Sequence, residues 1–281
     1  MIFEAKASLT TFIACLLWSG LYIPRSTNGH FIATCIYFFL LISSHLYIII
    51  FVLKSNFSIF WRSYGIGGVF LLGLALIFHG PQQFLAFGLY LCIVAFFHIS
   101  EYLATALFNP STLTLDSFLI NHSFAYNLAH LLCVIEYVAW CWLYPSIKLC
   151  TSIQILGIGL CLFGEVFRKA AMYTAGINFT HLIQYQKRRE HELVTSGIYS
   201  ICRHPSYAGW FCWSIATQVL ACNPVCFIGY AIISWKFFDE RIYEEEALLL
   251  NFFQSDYLTY QQKVPTGVPF VKGFHLKPHN R

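Results

Sequence analysis

The chain has 281 residues, of which 58% are hydrophobic and only 11% charged, far below the roughly 25% charged residues of a soluble domain. That balance argues against water as the main solvent, and a net charge of +4 with no aromatic-interleaved basic patch argues against nucleic acid as a partner. Eleven cysteines, odd in number and without a CxxC pair, argue against both a disulfide framework and a metal site.

In chain order, apolar runs that are candidate spans of a bilayer about 30 Å thick fall at residues 9–23, 31–53, 64–79, 84–108, 124–144, 151–167, 207–221 and 225–238. The first is read as a span and not as a secretory signal, because Lys6 alone is a thin basic region and no A-x-A site follows. Turn-forming residues separate the runs: Pro24, Gly80-Pro81, Asn109-Pro110, Pro145 and Asn223-Pro224. The hairpins at Gly80-Pro81 and Asn223-Pro224 have almost no loop, so their helices must be antiparallel and in contact. The last three runs are short, which predicts little tilt or a gap between them. The expected fold is an all-α, polytopic membrane bundle of about eight transmembrane helices, with five N-terminal spans in residues 1–150 and a cytosolic-facing catalytic region in residues 151–281.

An even span count puts both termini on one side. Lys6, Lys54, Arg62, the stretch 168–203 and everything from Lys236 onward then share that side, against Arg25 and Lys148 on the other. The positive-inside rule makes the first side cytosolic.

Most of the charge sits in two polar stretches, residues 168–207 and 236–281. In the second, Arg241 and Glu245 lie four residues apart and so share a helix face at the membrane boundary. They form either a solvated ion pair or a functional pair at the end of a span. In the first, Pro205 bars His204 from a helix interior and suits the first turn of the following span. Such a helix start is electropositive and suits a carboxylate, although a plain interfacial cap would read the same way.

Gln184, His191 with Leu193-Val194, the run 195–199, Arg203-His204-Pro205-Ser206-Tyr207-Ala208-Gly209-Trp210, Asp239-Glu240-Arg241-Ile242, Glu244-Glu245 and the closing VPTGVPF at 264–270 together resemble the isoprenylcysteine carboxyl methyltransferase family. The likeness covers roughly residues 165–275. It implies methyl transfer from S-adenosylmethionine, leaving S-adenosylhomocysteine, to the C-terminal carboxylate of a prenylated cysteine in Ras-like and other CaaX proteins. It also implies an endoplasmic reticulum membrane. By that resemblance Gln184, His191, Glu192, Leu193, Val194, Tyr199, His204, Pro205, Ser206, Tyr207 and Glu245 line the cofactor site, Glu192 through its backbone. Arg241 engages the substrate carboxylate, with Arg241 and Glu245 as the catalytic pair and no metal.

The residue types suit that chemistry. A C-terminal carboxylate is ionised at neutral pH without a base, so the reaction is chiefly a positioning problem, and a planar guanidinium is a natural clamp. Glu245 can take the cofactor's ammonium, His204 with the helix start its carboxylate, and Tyr199 or Tyr207 its sulfonium. A prenyl chain stays in lipid, so the substrate must enter between spans. Glu165 and Arg168 are expected to support the pocket. His98, Glu101 and Glu136 are ionisable groups at membrane depth, functional or structural. The alternative enzyme reading is an NADPH-dependent membrane reductase of the sterol type; a channel or transporter predicts no cofactor binding.

Overall fold

A computed structural model of the chain describes residues 2–20, 57–120 and 123–276. The described residues are helical with no strand, and they form two compact units, Met1–Ile120 and Asn121–Arg281. The compact boundary thus falls at Ile120, whereas the functional division expected from the sequence falls at residue 150.

In the first unit, α1 spans Phe3–Gly20, α2 Phe57–His79 and α3 Leu85–Phe108. The expected run at 31–53, and the end of the one at 9–23, lie outside the described residues. Ser8 and Ser63 hydroxyls hydrogen-bond at 2.8 Å between α1 and α2, beside a core of Phe12, Ile59, Ile66, Ala95, Ile99, Tyr102 and Phe118. The Gly80-Pro81 hairpin is as tight as expected. A Cβ on Gly73 of α2 would lie 2.7 Å from the Gly88 carbonyl of α3, so only glycine lets the backbones approach this closely. His98, one of the buried ionisable groups of α3, is held by the Phe118 carbonyl at 2.8 Å through Nδ1.

In the second unit, α4 spans Phe124–Leu143, α5 Thr151–Ala175, α6 Pro205–Leu220 and α7 Pro224–Lys263. Helices α5 and α6 pack through matched stripes. Gly157, Cys161, Gly164 and Arg168 follow one another at spacings of four, three and four on α5, and Gly209, Trp213, Ala216 and Leu220 do the same on α6; all are buried. Such spacing keeps residues on one face, and small residues there let helices approach closely in an apolar solvent. A Cβ on Gly164 would lie 2.6 Å from the Gly209 carbonyl.

Two polar residues tie the far ends of these helices together. Glu136 of α4 accepts the first backbone N–H groups of α7, Val225 at 2.8 Å and Cys226 at 2.6 Å, groups that a helix leaves unsatisfied. Its carboxylate is therefore a helix cap. Lys148 donates to the carbonyls of Ala221 and Cys222 at 2.8 Å and to Asn223 Oδ1 at 2.7 Å. It is fully buried over the Tyr137 ring and caps the C-terminus of α6. Counted from the sequence as a loop charge, it is instead a structural cation, favoured by the negative end of a helix.

Element lengths depart from expectation in the C-terminal half. The run at 151–167 continues as helix to Ala175, and the run at 225–238 continues through the charged segment to Lys263, with a break at Gln254 (φ 44°). Apolar content marks where lipid ends, but the backbone bonds continue as long as one face has a neighbour to bury against. Among the described residues, three helical segments are long and apolar enough to cross a membrane: Phe57–His79, Gln82–Phe108 and Phe124–Leu143.

Candidate active site

Beyond α5 the backbone turns at Gly176 (φ 51°), makes one short 3-10 turn over Gly176–Asn178 and then runs without regular structure to a second turn at Gly197 (φ 58°), positive φ values that glycine adopts without a Cβ penalty. Side chains fix this loop to the second unit. Tyr185 donates to Glu244 at 2.7 Å, and Lys187 donates to the Phe252 carbonyl at 3.0 Å while lying over the Phe253 ring. The Glu192 backbone N–H donates to Asn178 Oδ1 at 2.9 Å.

The loop walls a polar cleft of about 850 Å³ against α6 and α7. Gln184, His191, Glu192, Leu193, Val194, Tyr199, His204, Ser206, Tyr207 and Glu245 all line it. Pro205, expected with them, does not. It is the buried first residue of α6 and shapes the helix start from beneath. The buried Nδ1 of His191 makes no hydrogen bond, so the cleft wall carries an open polar position. Burial, and then the nearby Arg188 and Lys187 charges, hold the His191 imidazole below its ordinary pKa.

The tyrosine hydroxyl at the centre of the site separates the two charges expected to pair. Tyr207 donates to Glu245 Oε2 at 2.5 Å and accepts from Arg241 Nε at 2.9 Å. Arg241 Nη2 donates to the His181 carbonyl at 2.5 Å, and the Tyr207 ring stacks on His204 with centroids 5.5 Å apart. Residues 204 and 241 therefore flank the same ring. Arg168, expected as a support, donates to Ser206 Oγ at 2.7 Å and fixes the start of α6.

Glu246 was not singled out by the sequence. It is fully buried and accepts four bonds: Arg203 Nε at 2.7 Å and His204 Nε2 at 3.0 Å on one oxygen, Gln261 Nε2 at 2.9 Å and the Phe274 N–H at 3.0 Å on the other. Burial alone would raise its pKa, but His204 and Arg203 outweigh it and bring the carboxyl down to about 2. Arg203, left unplaced by the sequence, also donates to the Gln261 and Val264 carbonyls. The Glu246 carboxylate holds His204 by Nε2, so Nδ1 is the nitrogen left over, 4.0 Å from Glu245 Oε2.

A second, apolar pocket of about 750 Å³ is walled by Tyr126, His130, Trp210, Trp213, Tyr230, Ile233, Phe237 and Phe238, among others. Arg241 itself lines neither cavity, but its guanidinium lies 5.4 Å from the centre of the Tyr207 ring, which walls the polar cleft, and 5.9 Å from that of Phe237, which walls the apolar pocket. Ile233, Phe237, Arg241, Glu245 and Leu249 recur every four residues along α7, so apolar wall, cation and cleft carboxylate form one stripe. No group of three or more His, Cys, Asp or Glu side chains among the described residues could hold a metal.

A model of the isoprenylcysteine carboxyl methyltransferase family matches residues 157–251, which carry most of α5, the loop, α6 and most of α7. A protein-S-isoprenylcysteine O-methyltransferase from Xenopus laevis is 55% identical over 192 residues, covering 68% of this chain and 67% of the relative. The one from Tribolium castaneum is 40% identical over 270 residues, covering 96% and 95%. A solved structure of a eukaryotic intramembrane Ras methyltransferase, isoprenylcysteine carboxyl methyltransferase, superposes with a TM-score of 0.84 at 38% identity, covering 98% of this chain and all of that one. With identity at this level along nearly its whole length, and a cleft placed where the family model matches, the chain belongs to the isoprenylcysteine carboxyl methyltransferase family.

Proposed function

We propose that the chain methylates the C-terminal carboxylate of a prenylated cysteine, drawing the methyl group from S-adenosylmethionine. One observation supports the reading beyond family membership: the Arg241 guanidinium lies against two rings, Tyr207 of the polar cleft and Phe237 of the apolar pocket. A prenylcysteine has one apolar and one anionic end, and Arg241 can hold the anionic end while the 15- or 20-carbon chain occupies the pocket walled by Trp210, Trp213 and Phe237.

The cleft fits the cofactor. It offers a carboxylate at Glu245 for an ammonium, the open Nδ1 of His191 for a polar ring atom, and Tyr199, Phe252 and Phe253 as apolar and aromatic walls. When bound, S-adenosylmethionine supplies a methyl group on a sulfonium; the carboxylate oxygen forms the new C–O bond as the C–S bond breaks, and neutral S-adenosylhomocysteine remains. The chain supplies no base, because the carboxylate is already ionised. Arg241 holds that carboxylate and Tyr207 ties Arg241 to Glu245, so the two reactants are held by residues that fix one another's position. Glu246, itself held by Arg203, keeps the His204 imidazole facing the cleft.

In the same reading the chain spans the endoplasmic reticulum membrane about eight times with cytosolic termini and a cytosolic-facing cleft, and its substrates are Ras-like and other CaaX proteins. The test is transfer of label from radiolabelled S-adenosylmethionine to a farnesylated cysteine. Arg241→Ala and Glu245→Ala should each abolish labelling while the melting temperature stays near wild type. Full activity in either variant removes the proposed site.

A further inference from the structure

Beyond the last turn of α7, residues 264–274 fold back along the Arg203–His204 corner, with the Arg203 and His204 N–H groups donating to the Pro265 and Thr266 carbonyls at 2.8 and 3.0 Å. The segment is anchored by buried Val268 and Val271 and by the Thr266 hydroxyl, which donates to the Val271 carbonyl at 2.8 Å. Between the two buried valines the chain does something costly. Phe270 adopts φ 64°, a conformation that a bulky residue rarely takes, and its ring is 92% exposed. Local strain of this kind persists only where the surroundings over-determine it, and here it accompanies an aromatic ring turned outward.

The level of this ring is set by Trp235, whose Nε1 donates to the Pro269 carbonyl at 2.8 Å. Trp235 lies near the end of the apolar run of α7, at the position where indole rings mark a membrane interface. Phe270 is therefore held at the level of that interface. It forms part of a shallow groove of about 1120 Å³ to which Lys263, Lys272 and His275 also contribute, and no acidic residue among the described residues lines it. Arg203 lines the groove as well but is engaged by Glu246. Lys263 and Lys272 are exposed.

An exposed aromatic ring at interface depth, flanked by cations with no acidic counterpart, fits one kind of partner. We infer that the segment from Lys263 to His275 docks on anionic phospholipid headgroups of the leaflet at which the apolar run of α7 ends, with the Phe270 ring seated in the acyl boundary. The contact ties the tail to the bilayer on one face while its other face holds the Arg203–His204 corner.

The test uses the full chain in nanodiscs of phosphatidylcholine, with or without phosphatidylserine. A photoreactive p-benzoylphenylalanine replaces Phe270 and, as a control, Trp142, which is 87% exposed on α4. Both positions should form lipid adducts. The adduct at 270 should be enriched in phosphatidylserine discs and fall roughly thirtyfold in a Lys263→Glu/Lys272→Glu variant, the loss expected for two cations near a charged bilayer surface, with the adduct at 142 unchanged. Lipid labelling at 142 without labelling at 270, a cross-link from 270 to a second protein chain, or equal labelling at 270 in neutral and anionic discs would each overturn the proposal. Failure at both positions would overturn it together with the assignment of α4 as a span. None of these outcomes depends on methyl transfer.

Discussion

Replacing Glu246 with alanine removes the acceptor of two charged or polar side chains on the α6 side, Arg203 and His204, and of two donors on the tail side, Gln261 and the Phe274 N–H. The magnitude follows from the carboxyl itself, which the site holds at about 2 against an ordinary 4.5. At about 1.4 kcal/mol per tenfold change, that is about 3 kcal/mol in favour of the ionised form, in the range of about 3–5 kcal/mol for breaking a buried pair by removing one partner. For a domain of this size that corresponds to a melting temperature lowered by roughly 6–12 °C. The assay is thermal melting of detergent-solubilised protein followed by tryptophan fluorescence, paired with equilibrium binding of S-adenosylhomocysteine. Because the folded pKa is depressed, the contribution is complete above pH 4.5 and is lost as pH falls towards 2. The wild-type curve should therefore be flat in this contribution around neutrality and fall only in acid. A variant melting within about 1 °C of wild type, with unchanged affinity for S-adenosylhomocysteine, would refute the reasoning.

Three other outcomes test separate parts of the structure. Gly164→Leu should prevent α5 from docking on α6, because its Cβ meets the Gly209 carbonyl at 2.6 Å and backbone cannot step aside; Gly159→Ala on the same helix, which meets nothing within 4 Å, should fold normally, and size-exclusion profiles separate the two. Lys148→Met should lower stability by about 1–3 kcal/mol through the uncapped carbonyls of Ala221 and Cys222, read as a lower melting temperature with unchanged KM for either substrate. Arg241→Lys keeps the charge but loses the planar fork, so kcat/KM for the prenylated cysteine should drop about a hundredfold, equivalent to about 3 kcal/mol of transition-state binding, while S-adenosylhomocysteine affinity holds.

Helical architecture and the positions of the breaks were legible because each leaves a local mark: an apolar run, or a proline after glycine or asparagine. The cleft-lining residues were legible chiefly through the family likeness, with a histidine before a proline as their local mark. The role of Glu246 was not. Glu244, Glu245 and Glu246 stand side by side in sequence, but each step turns about 100° around the helix, so Glu244 meets Tyr185 outside, Glu245 reaches the cleft and Glu246 enters the core. Which of three identical residues faces inward depends on the tail, whose donors lie some way along the chain. The same holds for Lys148, a loop cation by position and a helix cap by contact. The glycines of α5 and α6 were visible, but their pairing was not, since it requires knowing which helices are neighbours.

The stripe along α7 behaves as a ruler. Successive marks are roughly 6 Å apart, so the distance from the apolar wall at Phe237 to the cation at Arg241, and from there to the carboxylate at Glu245, is written into the backbone itself. Such a gauge tolerates exchanging one mark for another but not changing their number. Inserting one residue between 237 and 245 would swing everything beyond it by about 100°, turning Glu245 away from the cleft and bringing Glu244 towards it. Evolution can therefore retune each mark of this enzyme separately, but it cannot lengthen the interval between them without dismantling the site.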